Sequence, residues 1–384
     1  MNISFILKTQ LEAGTGSIGK IVPFLEDQGY RKVAFITDQA LTSHQALADL
    51  KKTVAEKLSI TVDYIYDLPF EPDYDSLDSI KKKFKSGEEK LADVIVATGG
   101  GSVLDFAKGI ATLMTNHLPA ISYRGFPKQL APSVPVVAIP TTAGTASEVT
   151  YNAVFINKTD RRKLGINTHN NFPVLAVLDP VMTANCPYKV ALGAGLDALV
   201  HTLESFAAGK HNEVTRMFAV KAFNLLINNL ESALKNNDES SRSSVQLGAY
   251  LAGISLMNAG SGPAGGISYP LGVVFSIPHG IAGGIILPYL IKHNIAQGYK
   301  DYDLLFEQIN DSELKSKSVD LADYFFRMYE RLDVWSHVGK IANDNSDFRE
   351  YISLLQGAFD QNPVSFKVPD AFSIIDELNM QHLK

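Results

Sequence analysis

Short apolar runs alternate with amphipathic stretches through the first half of the chain. Such runs are typical of buried β-strands, whereas apolar positions three or four residues apart are typical of helices. The predicted strands cover residues 32–37, 61–66, 93–97 and 134–139, and the predicted helices cover residues 43–57 and 74–86. Strands that alternate with helices predict a mostly parallel sheet with helices on both faces.

Helical periodicity dominates from about residue 188 onwards. The predicted helices there cover residues 193–208, 213–234, 243–257 and 319–332, and no strand pattern of similar clarity accompanies them. Asp179-Pro180 and Cys186-Pro187 interrupt the pattern just before this change, as proline does where an element ends. We therefore predict an α/β domain over residues 1–187 and an all-α domain over residues 188–384.

Two glycine-rich segments compete as a phosphate-binding loop. Gly14-Thr-Gly16-Ser-Ile-Gly19 has the spacing of a dinucleotide loop, but the segment before it is the start of the chain, which favours an edge strand and a plain turn. Gly99-Gly100-Gly101-Ser102 directly follows a predicted strand and opens a helix. Glycines let the backbone approach an anion, and helix N–H groups attract it, so we favour the second segment. The alternative is a turn that binds nothing.

Two further segments fit a nucleotide. Asp38 ends a predicted strand, where its carboxylate can bind a ribose hydroxyl and repel a 2′-phosphate, which favours NAD over NADP. The alternative is that Asp38 only caps a helix. Residues 139–150 form a strand end followed by a run of hydroxyl side chains around Gly144, which suits phosphate or ribose but also an ordinary capped loop.

A carboxylate and two imidazoles are the candidate metal ligands. Asp197 and His201 stand four residues apart on a predicted helix, so they share one face, and His279 follows in Ile-Pro-His-Gly. One oxygen and two nitrogen ligands suit zinc or ferrous iron, and three protein ligands leave a position open for substrate. A solvated Asp–His pair is the alternative, but the small and apolar neighbours favour a buried pair that needs a partner.

The bulk composition excludes several classes of partner. The chain has 384 residues, 46% hydrophobic, with a net charge of −6 and no long basic run, which argues against nucleic acid or a membrane surface. Cys186 is the single cysteine, which fits a reducing compartment. Residues 1–8 turn polar too soon for a signal peptide, and residues 272–291 contain two prolines and a histidine, unlike a membrane span. We expect a soluble cytoplasmic protein.

Four motifs together resemble the iron-containing (group III) alcohol dehydrogenase family, which has the dehydroquinate synthase-like fold. The motifs are residues 99–108, residues 140–150, Gly-Leu-Asp-Ala-Leu-Val-His at residues 195–201, and residues 269–280 with Ile-Pro-His-Gly at their end. They cover nearly the whole chain in the order of the family. The resemblance implies a Rossmann-like NAD-binding α/β domain and a helical metal-binding domain, with a divalent metal (zinc or iron) and NAD as cofactors.

The resemblance also implies roles for particular residues. Asp38 would face the adenine ribose, and Lys163 would lie near the cofactor. The pyrophosphate would be held by Gly99, Gly100, Gly101 and Ser102, with Thr141, Thr142 and Thr145. Asp197, His201 and His279 would hold the metal. His279 and Tyr269 would be the catalytic residues.

The chain departs from the family pattern at three positions. Gly265 stands where the family usually has a third metal-binding histidine, and Tyr269 replaces a histidine used near the nicotinamide. Ala146 replaces the usual glycine of the hydroxyl run. A three-ligand site remains reasonable for zinc. An unperturbed phenol titrates near pH ~10, so Tyr269 is no simple replacement as a proton relay.

The departure at Gly265 also bears on the substrate. Glycine there should open volume beside the metal, which hints at a bulky, polar substrate such as a sugar acid. Its carboxylate would pair with Arg124, Arg161 or Arg162.

The resulting hypothesis is oxidation of a primary alcohol to an aldehyde with NAD by a homodimeric enzyme. Three alternatives stay open: an oxidase that uses another acceptor such as oxygen, an NAD-using lyase of the same fold, and a non-catalytic binding protein.

Overall fold

The computed structural model describes residues 3–67, 72–87, 89–128, 130–160, 162–310 and 320–382. Arg161, one of the predicted carboxylate partners, lies outside these ranges. The chain forms two compact units, one over Leu7–Cys186 and one over the described part of Pro187–Lys384 together with residues 3–6.

Six parallel strands form the main sheet of the first unit, within the ranges that the structure describes. The strands of this unit are β1 (Gln10–Ala13), β2 (Lys32–Asp38), β3 (Ser59–Tyr66), β4 (Lys85–Ser86), β5 (Glu89–Lys90), β6 (Val94–Gly99), β7 (Val136–Pro140), β8 (Ile156–Asn157), β9 (Arg162–Lys163) and β10 (Leu175–Leu178). Their order in the sheet is β1-β10-β7-β6-β2-β3, and β4–β5 and β8–β9 form two short antiparallel hairpins. The carboxyl ends of β2, β6 and β7 therefore meet at one edge.

Alternation along the central strands builds a core on each face of this sheet. In β2, Val33 and Phe35 belong to one buried cluster, while Ala34 and Ile36 belong to the other. The helices of this unit are α1 (Ile21–Asp27), α2 (Gln45–Lys57), α3 (Tyr74–Ile80) and α4 (Gly101–Thr115). Leu47 and Leu50 of α2 join the first cluster, and Phe106 of α4 joins the second, so helices cover both faces.

One predicted helix is shorter than its pattern suggested. Residues 74–86 were expected to be helical throughout, but α3 ends at Ile80, a single 3₁₀ turn follows, and Lys85–Ser86 pair with Glu89–Lys90. The lysines at 81–83 lie in that turn. Local helix propensity was overridden there by pairing across Gly87, which adopts a positive φ of 61°.

Helices make up the second unit, and no strand occurs in its described part. They are α5 (Tyr188–Ala207), α6 (Glu213–Asn236), α7 (Glu239–Ala259), α8 (Pro263–Phe275), α9 (His279–Ala296), α10 (Tyr302–Phe306), α11 (Leu321–Arg331), α12 (Ser346–Ser353), α13 (Gln356–Phe359) and α14 (Val368–Gln381). Helix α5 is buried almost continuously from Leu192 to Ala207 and packs against α6, α7 and α9. The predicted fold class, a parallel α/β part followed by a helical part, is confirmed.

The apolar segment around residues 272–291 is divided between α8 and α9 rather than forming a single span. Across the described residues, no helix combines the length and the apolar character needed to cross a membrane.

Candidate active site

The triglycine turn joins β6 to the start of α4. Gly99 ends the strand, Gly100 caps the helix without a side chain, and Gly101 is the first helical residue. Because the glycines have no side chains of their own, the start of α4 presents backbone N–H groups and the positive end of the helix dipole. This is the arrangement expected of an anion-binding turn.

The hydroxyl run packs directly against this turn. The N–H of Thr141 donates to the carbonyl of Gly99 at 3.1 Å. A Cβ added to Gly101 would lie 2.6 Å from Cγ2 of Thr145, and one added to Gly100 would lie 3.5 Å from the side chain of Thr142. The structure thus brings the predicted pyrophosphate residues of the two loops together, and Gly101 is required there because Thr145 occupies the space of a side chain.

Ala146 has a left-handed backbone, with φ of 55°, and is fully buried. This conformation disfavours residues with a Cβ, so the position suits glycine. The loop keeps its shape in this chain at the cost of local strain.

A buried polar network that we did not predict fixes the hydroxyl loop on α4. The ammonium of Lys108 is fully buried and donates to Oγ of Ser147 at 2.8 Å and to the carbonyl of Asn152 at 2.9 Å. Ser147 donates to Asp105 at 2.6 Å. The signal for it in the sequence was Asp105 and Lys108 three residues apart in an otherwise apolar helix.

Burial shifts the pKa values of two groups in this region. It lowers the pKa of Lys108 to about 8, and the nearby Asp105 and Glu148 carboxylates oppose that change. It raises the pKa of Glu148 to about 7, and the charge of Lys108 again opposes the change. Both groups therefore titrate nearer to neutral pH than they would in water.

Asp38 lies at the carboxyl end of β2, beside the end of β6. Thr37 pairs with Thr98 across the two strands, so Asp38 and Gly99 follow at the same edge. The Asp38 carboxylate accepts a hydrogen bond from the N–H of Ala40 at 2.9 Å and caps the next turn. The helix-cap alternative is therefore observed, and ribose binding stays a prediction.

The competing glycine segment follows β1, which is the edge strand that we predicted. Gly14 and Gly16 adopt positive φ values of 116° and 82°, as tight turns require. The N–H of Ile18 donates to the carboxylate of Asp179 at 3.2 Å. An acidic side chain at this turn disfavours a phosphate there.

Lys163 lies in β9, opposite Ile156 of the β8–β9 hairpin. Arg162 precedes it, and Arg124 forms an ion pair with Asp160 at 2.5 Å. Arg124 is thus already paired with a carboxylate within the protein. The role of Lys163 near the cofactor stays a prediction.

Asp197 and His201 share a face of α5, as their spacing predicted. Oδ1 of Asp197 lies 3.5 Å from Nε2 of His201 and 3.8 Å from Nε2 of His279. Asp197 is only 4% exposed and His201 only 8%. The three predicted metal ligands therefore come together around one carboxylate oxygen.

The hydrogen bonds of His279 define which nitrogen faces Asp197. His279 is the first residue of α9, and its Nδ1 lies 2.9 Å from Oγ of Ser268. Ser268 donates its only proton to the carbonyl of Gly265 at 2.6 Å. It is then left to accept from Nδ1–H of His279, and Nε2 is the ring nitrogen that faces Asp197.

This donor set fits a divalent cation. Nε2 of His279 and Oδ1 of Asp197 are too far apart at 3.8 Å for a hydrogen bond, and a cation placed between them would interact favourably with both atoms. Two ligand atoms at ~2.1 Å from a tetrahedral zinc lie about 3.4 Å apart. The distances from Oδ1 of Asp197 to Nε2 of His201 and to Nε2 of His279, 3.5 Å and 3.8 Å, are slightly longer. Among the described residues, no group of three His, Cys, Asp or Glu side chains has the spacing needed to hold a metal ion, so binding would require these side chains to move closer together.

Gly265 does not open volume beside the metal ligands, and that expectation was wrong. A Cβ added at Gly265 would overlap Oγ of Ser261 and lie 2.9 Å from Oε2 of Glu204. Glu204 is buried on α5 and accepts hydrogen bonds from the N–H groups of Gly262, Ala264 and Gly265 and from the Ser261 hydroxyl. The space is therefore occupied by a carboxylate that sequence reasoning missed.

Glu204 shows two opposing influences on its pKa. Burial raises the pKa of this carboxyl, while the hydrogen bonds from Gly262, Ser261 and neighbouring N–H groups lower it, and burial prevails. Glu204 stands seven residues after Asp197, so it lies on the same face of α5. That spacing was the one available signal for it.

Tyr269 packs beside the imidazole of His279, with ring centroids 5.0 Å apart at an angle of 52°. It is half-buried on α8, directly after Ser268. The structure thus places both predicted catalytic side chains in contact, while the catalytic role of Tyr269 stays a prediction.

A glycine turn with the geometry of an anion-binding turn in a parallel α/β unit and a carboxylate with two imidazoles in a helical unit define a class of protein. They are the combination expected of a metal-dependent oxidoreductase that uses a dinucleotide. Family comparison supports this class. The model for iron-containing alcohol dehydrogenase matches residues 8–180, and the model for the C-terminal part of the Fe-containing alcohol dehydrogenase family matches residues 191–377. The chain belongs to the iron-containing alcohol dehydrogenase family.

Individual relatives agree with this assignment. Alcohol dehydrogenase 4 of Schizosaccharomyces pombe is 32% identical over 282 residues, which are 73% of this chain and 66% of that protein. Lactaldehyde reductase of Escherichia coli K12 is 30% identical over 285 residues, 73% of each chain. The crystal structure of sulfoacetaldehyde reductase from Bifidobacterium kashiwanohense with NAD⁺ superposes with a TM-score of 0.87 at 22% identity, covering 99% of this chain and 100% of that one, and shows the shared fold.

The family confirms several predictions made from the sequence. The chain is an oxidoreductase of the class that acts on CH–OH groups, and a divalent metal and NAD are the cofactors of the family.

Proposed function

We propose that this chain oxidises a primary alcohol to an aldehyde with NAD. The observation that carries the proposal is the arrangement of Asp197, His201 and His279, in which two imidazole nitrogens face one buried carboxylate oxygen. That arrangement suits a cation with an open position.

Separate groups of residues would bind the metal ion and the parts of the dinucleotide. Asp197, His201 and His279 would hold the ion, which supplies a Lewis acid for the alcohol oxygen, while NAD accepts the hydride. The triglycine turn and the hydroxyl run would hold the pyrophosphate. Asp38 would bind the ribose and exclude a 2′-phosphate.

The relatives and the resemblance of the sequence support a proposal for the substrate class. The name of the lactaldehyde reductase points to a small hydroxyaldehyde and the alcohol that corresponds to it. The chain also resembles the family member that oxidises the C8 hydroxyl of 3-deoxy-manno-octulosonate, a sugar of lipopolysaccharide, and we propose this sugar acid as the specific substrate. Arg124, which is paired with Asp160, and Arg162 are the described candidates for its carboxylate.

One assay tests the reaction class and the substrate together. Purified protein with zinc or ferrous ion is incubated with NAD and ethanol, propane-1,2-diol or the sugar acid, and NADH, aldehyde and peroxide are measured. The proposal predicts equal amounts of NADH and aldehyde, with the highest kcat/KM for the sugar acid. Product without net NADH would indicate the lyase, and peroxide would indicate the oxidase. No turnover of any substrate would favour a binding protein.

Three further expectations belong to this proposal. Zinc is proposed as the resident metal, because a site with two imidazoles and one carboxylate suits a tetrahedral ion with one open position. A homodimer and a cytoplasmic location are proposed as well. Elemental analysis, sedimentation and cell fractionation measure the three directly.

A further inference from the structure

The hydrogen bonds around Gly265 link the helix that carries two metal ligands to the residue that orients the third. Gly265 donates its N–H to Glu204 of α5 at 3.2 Å. Its carbonyl accepts the Ser268 hydroxyl at 2.6 Å, and Ser268 in turn contacts Nδ1 of His279. A continuous path therefore runs from α5 through the first turn of α8 to the start of α9.

Glu204 is the anchor of this path. Its two carboxylate oxygens accept four donors, namely three N–H groups at the start of α8 and the hydroxyl of Ser261, at distances from 2.6 to 3.2 Å. A carboxylate at a helix N-terminus also interacts favourably with the helix dipole. Because Glu204 belongs to the same helix as Asp197 and His201, it fixes the start of α8 relative to those two ligands.

Ser268 contacts His279, the third proposed metal ligand. It is fully buried, and it can satisfy both neighbours only by donating to Gly265 and accepting from His279. The imidazole is thereby held as the tautomer with the proton on Nδ1. A hydrogen bond of this kind on the far nitrogen of a metal-binding histidine normally fixes the orientation of the ring.

We propose that Glu204 and Ser268 are positioning residues that hold His279 with Nε2 directed at Asp197. This inference rests on the proposed metal site. It explains why a small residue is needed at position 265. A side chain there would collide with Ser261 and Glu204 and disrupt the hydrogen bonds that connect Glu204 to His279.

Ser268→Ala tests the proposal against Ser255→Ala as the matched control. Ser255 is also fully buried in the helical unit, and its hydroxyl donates to the carbonyl of Thr215 at 3.0 Å without contacting a proposed ligand. Both variants lose one buried hydroxyl. Zinc is titrated into metal-free protein against a chromophoric chelator. We expect the dissociation constant to rise roughly 10- to 100-fold in Ser268→Ala and to change less than about threefold in Ser255→Ala.

A spectroscopic measurement separates this inference from the proposed function. In ¹⁵N-histidine-labelled, metal-free protein, the resonance missing from His279→Ala identifies His279. We expect the Nδ1–H tautomer in the wild-type protein and its loss in Ser268→Ala. Tight zinc binding by the wild-type protein with an unchanged affinity in Ser268→Ala, or an Nε2–H tautomer in the wild-type protein, would overturn the positioning role alone. Absence of zinc binding by the wild-type protein would overturn both the metal site and the positioning role.

Glu204→Gln tests the anchor. The amide can no longer accept from every donor at the start of α8, so amide exchange at Gly262, Ala264 and Gly265 should accelerate at least about tenfold and zinc affinity should fall. Unchanged exchange in the folded variant would contradict the role of Glu204. If the variant does not fold, the comparison of Ser268→Ala with Ser255→Ala still decides the proposal.

Discussion

The Oδ1 atom of Asp197 on α5 lies 3.8 Å from Nε2 of His279, the first residue of α9. The two residues are 82 positions apart in the chain and meet only because α5 and α9 pack against each other. At this distance they form no direct hydrogen bond, and the proposed divalent ion would join them.

Replacement of His279 by alanine should abolish activity and leave the fold intact. The side chain is half-exposed and supplies one of three proposed ligands, so its loss removes metal chemistry without creating a large cavity. We expect kcat/KM to fall at least about 1000-fold, with an unchanged circular dichroism spectrum. His293→Ala, on the same helix, is the control and should keep its activity. Full activity in His279→Ala would contradict the assignment.

Gly101→Ala should weaken binding of NADH. The added methyl group would lie 2.6 Å from the Thr145 side chain and would push the hydroxyl loop away from the triglycine turn. We expect at least about a tenfold rise in the dissociation constant measured by NADH fluorescence, equivalent to ~1.4 kcal/mol. Gly19→Ala is the control, because a Cβ there meets nothing within 4 Å. A larger loss in Gly19→Ala would move the phosphate site to the first glycine segment.

Ala146→Gly should be tolerated far better than Ala153→Gly. Both alanines are fully buried, but only Ala146 has a positive φ, of 55°. Glycine removes a left-handed strain of ~1–2 kcal/mol at position 146 and gains nothing comparable at position 153. The free energies of unfolding, measured with urea, should therefore differ by about 1–2 kcal/mol in favour of Ala146→Gly. Equal losses would mean that the loop is not strained.

Glu148→Gln should flatten the dependence of stability on pH. Burial raises the pKa of Glu148 to about 7 from an ordinary value of 4.5. The folded protein then binds an extra proton between these values, so the stability contributed by the neutral carboxyl is present at low pH and is lost as pH rises through about 7. Between pH ~5 and ~7.5 the wild-type protein should lose on the order of 2 kcal/mol more than the variant. Parallel curves for the two proteins would contradict the burial of an ionisable carboxyl.

The alternation of strands and helices could be predicted because each element carries its own pattern. The strands predicted at residues 32–37 and 93–97 are observed as β2 and β6. Successive residues of each strand point to opposite faces of the sheet and join two different buried clusters. Asp197 and His201 could be paired because helix geometry places residues four apart on one face.

The parts that could not be predicted depend on contacts between distant residues. Glu204 meets the start of α8 about sixty residues later in the chain, and nothing in the local sequence shows that its oxygens would fill the space beside Gly265. Ser147 and Lys108 meet across 39 residues in the same way. The expectation of open volume beside Gly265 was wrong because the lack of a side chain was taken as empty space. Protein interiors are closely packed, so neighbouring side chains fill such space.

Elemental analysis after zinc titration and desalting tests the central claim most directly, with the wild-type protein and His201→Ala compared in parallel. We expect about one zinc ion per wild-type chain and a small fraction of that in the variant, because His201 is one of three ligands around the buried Asp197 carboxylate. An equal metal content in the two folded proteins, or none in the wild-type protein, would contradict the metal site.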